Sequence, residues 1–276
     1  MANYLPQTVT RRGRQRRVVY TCLFGYSEHF NDLVYERDSS IDFVCFTDMP
    51  ELRSDFWRIE KSDRGRLDPA RAAKQRKILA HHFLADYDAS LYIDNTVRLT
   101  MAPVEIFERF LDPSPSPFVC FVHPWRSCVY EEARQVIHHK LDLAERVEAQ
   151  MWHYYALGYP LDGGLWKGAF LLRRHNEPSV ARFTEMWFDH VLSYSHRDQL
   201  SLPVAAWLQA FKPGFIELDF SKNEILEYPY PPEPIRLPRG FDEEVYLQLN
   251  PDLRAANINA RRHYLLQGAA EGRLFR

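Results

Sequence analysis

Asp94 is the residue around which we predict a chemical site, because it closes an apolar run. Leu91, Tyr92 and Ile93 form a β-prone segment, and Asp94 and Asn95 follow at its carboxyl end. Ligands of open α/β sheets bind outside the carboxyl ends of the strands, so a carboxylate at this position faces a site. An Asp-Asn pair is also a common turn, and the sequence leaves that alternative open.

Three basic residues share one face of the helix predicted before this strand. Asp68 and Pro69 form a helix start, with the aspartate as N-cap and the proline at the first helical position. Arg71, Lys74 and Lys77 follow at steps of three residues, which keeps them on roughly one face. Such a stripe is either a solvated surface or a set of phosphate contacts, and both interpretations stay open.

A glycine or polar residues also follow or close three other apolar, strand-like runs. They are Gly25 after 18–24, Asp48 at the end of 41–48, and His123 and Arg126 after 118–122. The glycine lets the backbone come close to a ligand, and the abrupt change at His123 indicates the lining of a site. Asp48 could equally be a turn acid, and His123 could do no more than bond a neighbouring backbone group.

The order of the elements predicts the fold class. Strand-like runs alternate with helical segments, which is typical of an α/β domain with a largely parallel sheet. Further strands are predicted over 57–60, 169–173 and 215–218. Helices are predicted over 69–84, 104–110, 131–156 and 178–193, and a further helix is predicted to end at Trp207. A flexible glycine-rich element, 163–168, is expected before the strand that begins at Ala169.

Composition excludes some classes of protein. The 276 residues are 46% hydrophobic and carry a net charge of −2, which argues against nucleic acid as a partner. Cys22, Cys45 and Cys120 are expected to be buried thiols, and no CxxC spacing indicates zinc. No signal peptide and no membrane-spanning apolar run is present, so a cytoplasmic location is expected.

Three common motifs are absent from the sequence. No GxGxxG follows the first strand, which makes dinucleotide binding a weak hypothesis. No GxxxxGK[ST] loop occurs, which excludes a P-loop nucleoside triphosphatase. No GxSxG elbow occurs either, so the commonest esterase signature is missing.

Six segments in order along the chain carry a resemblance to a known family. They are Tyr20-Thr21-Cys22-Leu23-Phe24-Gly25, Cys45-Phe46-Thr47-Asp48, Arg71 with Lys74 and Lys77, Tyr92-Ile93-Asp94-Asn95, His123 with Arg126, Tyr130 and Glu131, and Arg197-Asp198-Gln199-Leu200-Ser201. From about residue 17 to 215 the chain resembles a glycosyltransferase-like family. That family was formerly a domain of unknown function and occurs in bacterial polysaccharide clusters and plant mucilage-related proteins. The resemblance implies a GT-A-like fold, with a Rossmann-like mixed, mostly parallel sheet flanked by helices.

The resemblance implies transfer of a sugar from a nucleotide-sugar donor, expected to be UDP-linked, to a glycan or lipid-linked polysaccharide. The implied donor-binding residues are Thr21, Phe24, Gly25, Asp48, Arg71, Lys74, Lys77, Asp94 and Asn95. The departing diphosphate must be neutralised, by a divalent metal or by Lys and Arg. Asp94 matches the first position of the metal-binding DxD motif, but Thr96 replaces its second aspartate. Mn²⁺ or Mg²⁺ at Asp94 is one expectation, and neutralisation by the basic stripe is the other.

On the acceptor side, the implied sugar-binding residues are His123, Arg126, Trp166, Arg197 and Gln199. Asp198, with Asp94, is the expected catalytic carboxylate. In an inverting transfer Asp198 would deprotonate the acceptor hydroxyl; in a retaining one, Asp198 or Gln199 would lie beneath the opposite face of the sugar. Asp198 could instead cap the following helix, and Trp166 could belong to the core. Alanine at Asp94 or Asp198 is expected to abolish transfer with folding intact.

Two other functions remain as alternatives. A metal-dependent hydrolase would use Asp94, His123 and Asp198, and a non-catalytic glycan-binding or scaffold protein would act through the C-terminal segment. Near the N-terminus, Arg11, Arg12, Arg14, Arg16 and Arg17 form a basic run. That run is either a solvated tail or a contact with the inner face of the cell membrane, where other polysaccharide-assembly proteins could be partners.

Composition shifts predict four segments. They are a basic tail over 1–17, the glycosyltransferase domain over 18–226, a proline-rich linker over 227–240 and a helical module over 241–276. The last segment resembles a short helical module often appended to bacterial glycosyltransferases. At about 36 residues it is too small for a core of its own, so it is expected to pack on the main domain or on a partner.

Overall fold

A seven-stranded sheet lies at the centre of the computed structural model, which describes residues 15–25, 30–32, 35, 40–229, 237–256, 258–269 and 271–276. The strands are β1 (Arg17–Leu23), β2 (Asp42–Thr47), β3 (Arg58–Lys61), β4 (Ala89–Ile93), β5 (Arg98–Leu99), β6 (Phe118–Val122), β7 (Trp166–Arg173), β8 (Gly214–Ile216) and β9 (Leu226–Glu227). The order in the sheet is β3-β2-β1-β4-β7-β6-β8, and β5 pairs with β9 apart from it.

One strand of the sheet runs against the others. β1 is parallel to β2 and β4, and β6 is parallel to β8, whereas β7 is antiparallel to both of its neighbours, β4 and β6. The amino end of β7 therefore lies beside the carboxyl ends of β4 and β6. The predicted α/β fold with a mixed, mostly parallel sheet is confirmed.

Helices flank the sheet and also form the C-terminal segment. They are α1 (Pro69–Ile78), α2 (Ala80–Phe83), α3 (Pro103–Ile106), α4 (Val129–His138), α5 (Ala144–Ala156), α6 (Pro178–Ser193), α7 (Leu202–Leu208), α8 (Glu243–Leu249), α9 (Pro251–Ala255) and α10 (Ala260–His263). Asp68 caps α1 as predicted, because its side chain accepts the Arg71 N–H at 3.0 Å.

Two segments that the sequence predicts as single helices each form two helices in the structure. The helix expected over 69–84 is interrupted at Leu79, which separates α1 from α2. The helix expected over 131–156 begins at Val129 and is interrupted between α4 and α5. Lys140 in that interruption has a left-handed φ of 52°, a conformation that an α-helix cannot contain.

The core consists of two apolar layers, one on each face of the sheet. Val18 and Tyr20 pack with α1, α6 and α7, while Val19 lies in the layer on the other face. Successive strand side chains point to opposite faces, so a fully covered strand needs apolar residues throughout. Cys22, Cys45 and Cys120 are buried thiols as predicted, and none of the four cysteines is in a disulfide.

Arg173, at the carboxyl end of β7, binds backbone carbonyl groups at the end of α1. It is fully buried, and its guanidinium donates to the Ile78 carbonyl at 3.2 Å. It also contacts the Lys77 carbonyl and the Tyr20 hydroxyl, and that hydroxyl donates to the Lys77 carbonyl at 2.7 Å. These donors satisfy carbonyls that have no partner within the helix.

The ends of the chain depart from the expected segments. Residues 1–14, with most of the predicted basic run, lie outside the described residues. Arg17 belongs to β1 and lies 2.6 Å from the Asp112 carboxylate, and Glu227, the first residue of the predicted linker, belongs to β9. Residues 230–236 of that linker lie outside the described part as well.

The C-terminal segment differs from the expectation that it has no core of its own. Tyr246, Leu253, Ala260 and Tyr264 are buried and form a cluster with one another. The Tyr246 hydroxyl lies 2.9 Å from a ring nitrogen of His263, which ties α8 to α10. Aromatic side chains supply much of the cluster, since a large ring buries more apolar area than other residues do.

No helix within the described ranges is both long enough and apolar enough to cross a bilayer.

Candidate active site

A polar cavity of about 260 Å³ lies where β4 and β6 end and β7 begins. Residues from several parts of the chain meet there. Its walls include Lys74 and Lys77 of α1, Asp94 after β4, His123, Trp125 and Arg126 after β6, Lys167 and Gly168 of β7, and Arg197, Asp198 and Gln199 before α7. This is the edge of the sheet at which ligands of open α/β folds bind.

A buried charge cluster forms the floor of the cavity. The Asp198 carboxylate lies 2.6 Å from the Lys77 ammonium and 3.0 Å from the Lys74 ammonium. Burial alone would raise the pKa of Asp198, but the two lysines lower it well below its ordinary value. Burial would likewise lower the pKa of Lys77, yet Asp198 and Asp94 raise it. Both groups therefore stay charged.

Asp94 is the more open of the two carboxylates. About a third of its side chain (34%) is exposed, against 7% for Asp198. One oxygen accepts the Tyr92 hydroxyl at 2.7 Å and lies 3.6 Å from the Lys77 ammonium. Burial would raise the pKa of Asp94, but Lys77 and Lys74 lower it, so this carboxylate is ionised at neutral pH.

His123 lines the cavity and also bonds the neighbouring backbone, so the two interpretations of this residue hold together. Its Nδ1 accepts the backbone N–H groups of Trp125 at 3.3 Å and Arg126 at 3.1 Å, and its Nε2 lies 3.5 Å from a nitrogen of the Arg126 guanidinium. Burial, with Lys167 and Arg126 nearby, lowers the pKa of His123 to about 4. The ring is therefore uncharged at neutral pH.

Asp198 does not cap the helix that follows it. It opens a short 3₁₀ turn, Asp198–Leu200, and the N-cap residue of α7 is Ser201. Its backbone carbonyl accepts the Trp187 indole N–H at 2.8 Å, which fixes the turn against α6.

Asp142, in the interruption between α4 and α5, positions the segment before Asp198. Its carboxylate accepts the Ser195 hydroxyl at 2.7 Å and the His196 N–H at 2.9 Å. Burial would raise the pKa of Asp142, but these hydrogen bonds lower it. The sequence carried no signal for this role, because an isolated Asp in a presumed helix resembles any surface acid.

Asp142→Ala is expected to lower the free energy of unfolding by about 2–3 kcal/mol, because it leaves the Ser195 and His196 donors without an acceptor. Urea denaturation measures the change, and Asp189→Ala on the exposed face of α6 is the matched control. Equal stability of the two variants would show that Asp142 does not hold this segment.

Gly168 and Lys167 belong to β7, which begins at Trp166 and not at Ala169. The glycine-rich element predicted over 163–168 is therefore partly strand. A Cβ atom at Gly168 would lie 3.0 Å from the Lys77 ammonium and 3.1 Å from an Asp198 oxygen. The glycine leaves the space that the ion pair occupies.

Of the residues expected to bind the donor, Lys74, Lys77 and Asp94 line the cavity. The others lie elsewhere, as follows. Thr21 and Phe24 are buried in the sheet region, Asp48 accepts the Gly25 N–H at 2.8 Å, Asn95 accepts the Asn31 N–H at 2.8 Å, and Arg71 donates to the Tyr194 carbonyl at 2.7 Å. Residues 26–29, which follow Gly25, are outside the described ranges.

Of the residues expected to bind the acceptor, His123, Arg126, Arg197 and Gln199 line the cavity. Arg126 is paired with the buried Glu132 carboxylate at 2.7 Å. Trp166 lies outside the cavity lining, and its ring packs on Phe215 with 5.3 Å between centroids.

The oxygen atoms near Asp94 do not make a set suited to a divalent cation. The side-chain oxygen of Asn95 faces the Asn31 backbone, and the nearest second carboxylate, Asp198, lies between two ammonium groups. Within the described ranges, the set of metal-ligating side chains close enough to share an ion is His81, His82 and Glu185, outside the cavity. The arrangement places lysine charge beside the carboxylates, where Mg²⁺ or Mn²⁺ would need oxygen ligands.

A larger groove of about 960 Å³ lies between α4 and α5. Its lining includes Tyr130, Met151, Trp152 and Tyr155, and it is mostly apolar. It lacks the paired carboxylates and lysines of the smaller cavity, so we place the chemistry in the latter.

Comparison with known proteins finds a family that spans this part of the chain. The model of the family described as "TOD1/MUCI70, glycosyltransferase-like domain" matches residues 51–219, which include α1 and every segment of the cavity up to Gln199. A protein from Arabidopsis thaliana described as "Probable hexosyltransferase MUCI70" is 31% identical over 143 residues. That alignment covers 49% of this chain and 24% of the plant protein, so the chain spans about a quarter of that relative's length.

Proposed function

Because the chain belongs to the TOD1/MUCI70 glycosyltransferase-like family, we propose that it transfers a hexose from a nucleoside-diphosphate sugar to a hydroxyl group of a glycan. The plant relative is described as a probable hexosyltransferase, which supports a hexose as the transferred group. UDP as the nucleotide and a lipid-linked glycan as the acceptor are the finer parts of this proposal.

The observation that carries the proposal is one small cavity that contains two ionised carboxylates and several cations. Glycosyl transfer needs both kinds of group. The acceptor oxygen forms a bond to the anomeric carbon, the bond from that carbon to the diphosphate breaks, and the electron pair leaves with the diphosphate. The acceptor proton passes to a base, and cations stabilise the negative charge on the leaving group.

Within this proposal Asp94 takes the proton of the acceptor hydroxyl. Its side chain is partly open to the cavity, whereas both oxygens of Asp198 face ammonium groups. A base must come within hydrogen-bonding reach of the proton that it removes, and Asp94 is the carboxylate that a substrate can approach. In this proposal Asp198 holds Lys74 and Lys77 in place. The prediction from sequence that Asp198 is the base remains the alternative to Asp94.

The acceptor sugar is proposed to lie on the Trp125 side of the cavity. The Trp125 ring is 65% exposed although it lines the cavity, and an aromatic face supports stacking against a sugar ring.

A thermal-shift screen of nucleoside diphosphates and nucleotide sugars, with and without Mn²⁺, tests the proposal. A ligand that binds the native state at about 100 times its Kd should add about 2.7 kcal/mol to the free energy of unfolding. We expect one diphosphate and its sugar conjugates to raise the Tm, and the corresponding nucleoside to leave it unchanged.

Two outcomes would contradict a glycosyltransferase. Tight glycan binding without nucleotide binding would indicate a glycan-binding or scaffold protein. Cleavage of a glycan or lipid without any donor would indicate a hydrolase.

A further inference from the structure

Lys167 and Arg197 differ from the other cations of the cavity because neither has a carboxylate partner. The cavity contains five cationic side chains and three carboxylates. Lys74 and Lys77 pair with Asp198, and Arg126 pairs with Glu132. Among the described residues, no carboxylate oxygen lies within 4.0 Å, the limit for an ion pair, of the Lys167 ammonium or the Arg197 guanidinium. Two positive charges of the cavity are left to be neutralised by something else.

Aromatic rings surround Lys167 and keep it in the site. The residue is 8% exposed, and its ammonium lies 5.1 Å from the Tyr228 ring centre, 5.3 Å from Phe220 and 5.8 Å from Trp125. Ring faces stabilise a cation without neutralising it. Burial lowers the pKa of Lys167, an effect that Asp94 and Glu132 partly offset. Burial of an unpaired cation costs free energy, and a bound anion would offset that cost.

Two further donors in the same cavity lack acceptors. The Arg197 Nε and the Gln199 Nε2 are buried and make no hydrogen bond within the described part of the chain. A buried donor without an acceptor costs free energy, so such donors usually indicate a missing ligand or water. Sugar hydroxyls could accept these hydrogen bonds, but an uncharged sugar cannot balance two cations. A ligand with several anionic oxygens does both.

We infer that Lys167 and Arg197, with Gln199, bind the diphosphate of the donor and neutralise it without a divalent cation. The inference rests on the proposed function, since it specifies how that donor is held. The bond to the anomeric carbon then breaks beside these two cations, and the diphosphate takes the electron pair. Lys74 and Lys77, already paired with Asp198, keep the carboxylates in position. The cavity is small for a whole nucleotide sugar, which suits a site for the reacting groups.

Isothermal titration of the full chain with UDP, GDP, ADP and CDP, and with the matching monophosphates, tests the inference. Each titration is done in EDTA and again in Mn²⁺. The wild-type protein should bind one diphosphate equally well under both conditions. Lys167→Met and Arg197→Gln should each weaken that binding about 10–100-fold, because each removes a charge-assisted contact. Binding of the monophosphate should change less, since it lacks the second phosphate.

Lys212→Met, which removes an exposed ammonium outside the cavity lining, is the matched control and should bind the diphosphate as the wild type does. The Tm of Lys167→Met should equal or exceed the wild-type Tm, because the variant loses an unpaired buried charge and keeps its apolar stem. A purely structural lysine would give the opposite change.

The possible failures are distinguishable. Diphosphate binding that EDTA abolishes, or variants that bind as the wild type does, would overturn the inference and leave the proposed function standing. A wild-type chain that binds none of the nucleotides under either condition would overturn both.

Discussion

Asp198→Asn is expected to lower the free energy of unfolding by about 3–5 kcal/mol, which is the usual cost of removing one partner from a buried ion pair. The Asp198 carboxylate lies within 3.0 Å of two buried ammonium groups, and an amide of the same shape cannot neutralise them. This changes the expectation, drawn from sequence, that a variant at this position folds normally. A loss of activity in the variant must therefore be separated from a loss of folded protein.

Urea denaturation measures this effect, with Asp189→Asn on the exposed face of α6 as control. A change below about 1 kcal/mol, the range of exposed ion pairs, would show that the cluster is solvated and that Asp198 is free for other roles.

The pH dependence of the same difference has a definite sign. The folded state lowers the pKa of Asp198, so its contribution to stability is present above the unfolded carboxyl pKa of about 3.9. That contribution is lost as the pH falls through the lower, folded pKa. The stability gap between wild type and Asp198→Asn should therefore stay constant from about pH 8 to pH 5 and close in stronger acid.

Asp94→Asn is expected to lower kcat for sugar transfer by about 10²- to 10⁴-fold, the range for loss of a general base. The fold should survive, because the amide oxygen can still accept the Tyr92 hydroxyl and Lys77 keeps its closer partner, Asp198. The Kd of the donor should change much less than kcat, since the diphosphate contacts lie on other residues.

Single-turnover transfer assays and a urea titration on the same preparation make the measurement. Tyr92→Phe is the matched control, since it removes the hydrogen bond to Asp94 and keeps the carboxylate. Full activity of Asp94→Asn would remove this residue from the chemistry and return Asp198 to consideration as the base.

Local sequence pattern predicted the part of the site that lies at strand ends and on α1. Asp94, His123 and Lys77 were found because apolar runs stop abruptly beside them or because a helix start precedes them. The strands, the α/β class and the cap at Asp68 follow from the same short-range signals.

Arg71 shows the limit of spacing as a guide to a shared face. A step of three residues leaves an α-helix about 60° short of a full turn, so Arg71 lies about 120° around α1 from Lys77. Arg71 consequently reaches the Val191 and Tyr194 carbonyls at the end of α6 and does not line the cavity.

Lys167 was missed because the direction of β7 is not visible in its own sequence. In an open α/β sheet, functional residues are expected at the carboxyl ends of strands, but β7 is antiparallel and brings its amino end to that edge. Asp142 was missed for a related reason, since its partners stand more than fifty residues further along the chain. Pairing between distant segments depends on tertiary packing, which local pattern does not encode.

β7 also connects the cavity to a place that no substrate reaches. Lys167 stands near one end of the strand, and about 20 Å away Arg173 grips the carbonyls that end α1, the helix that carries Lys77. A genetic screen for loss of sugar transfer should therefore recover Arg173 variants alongside Lys77 variants, although Arg173 lies far from the cavity.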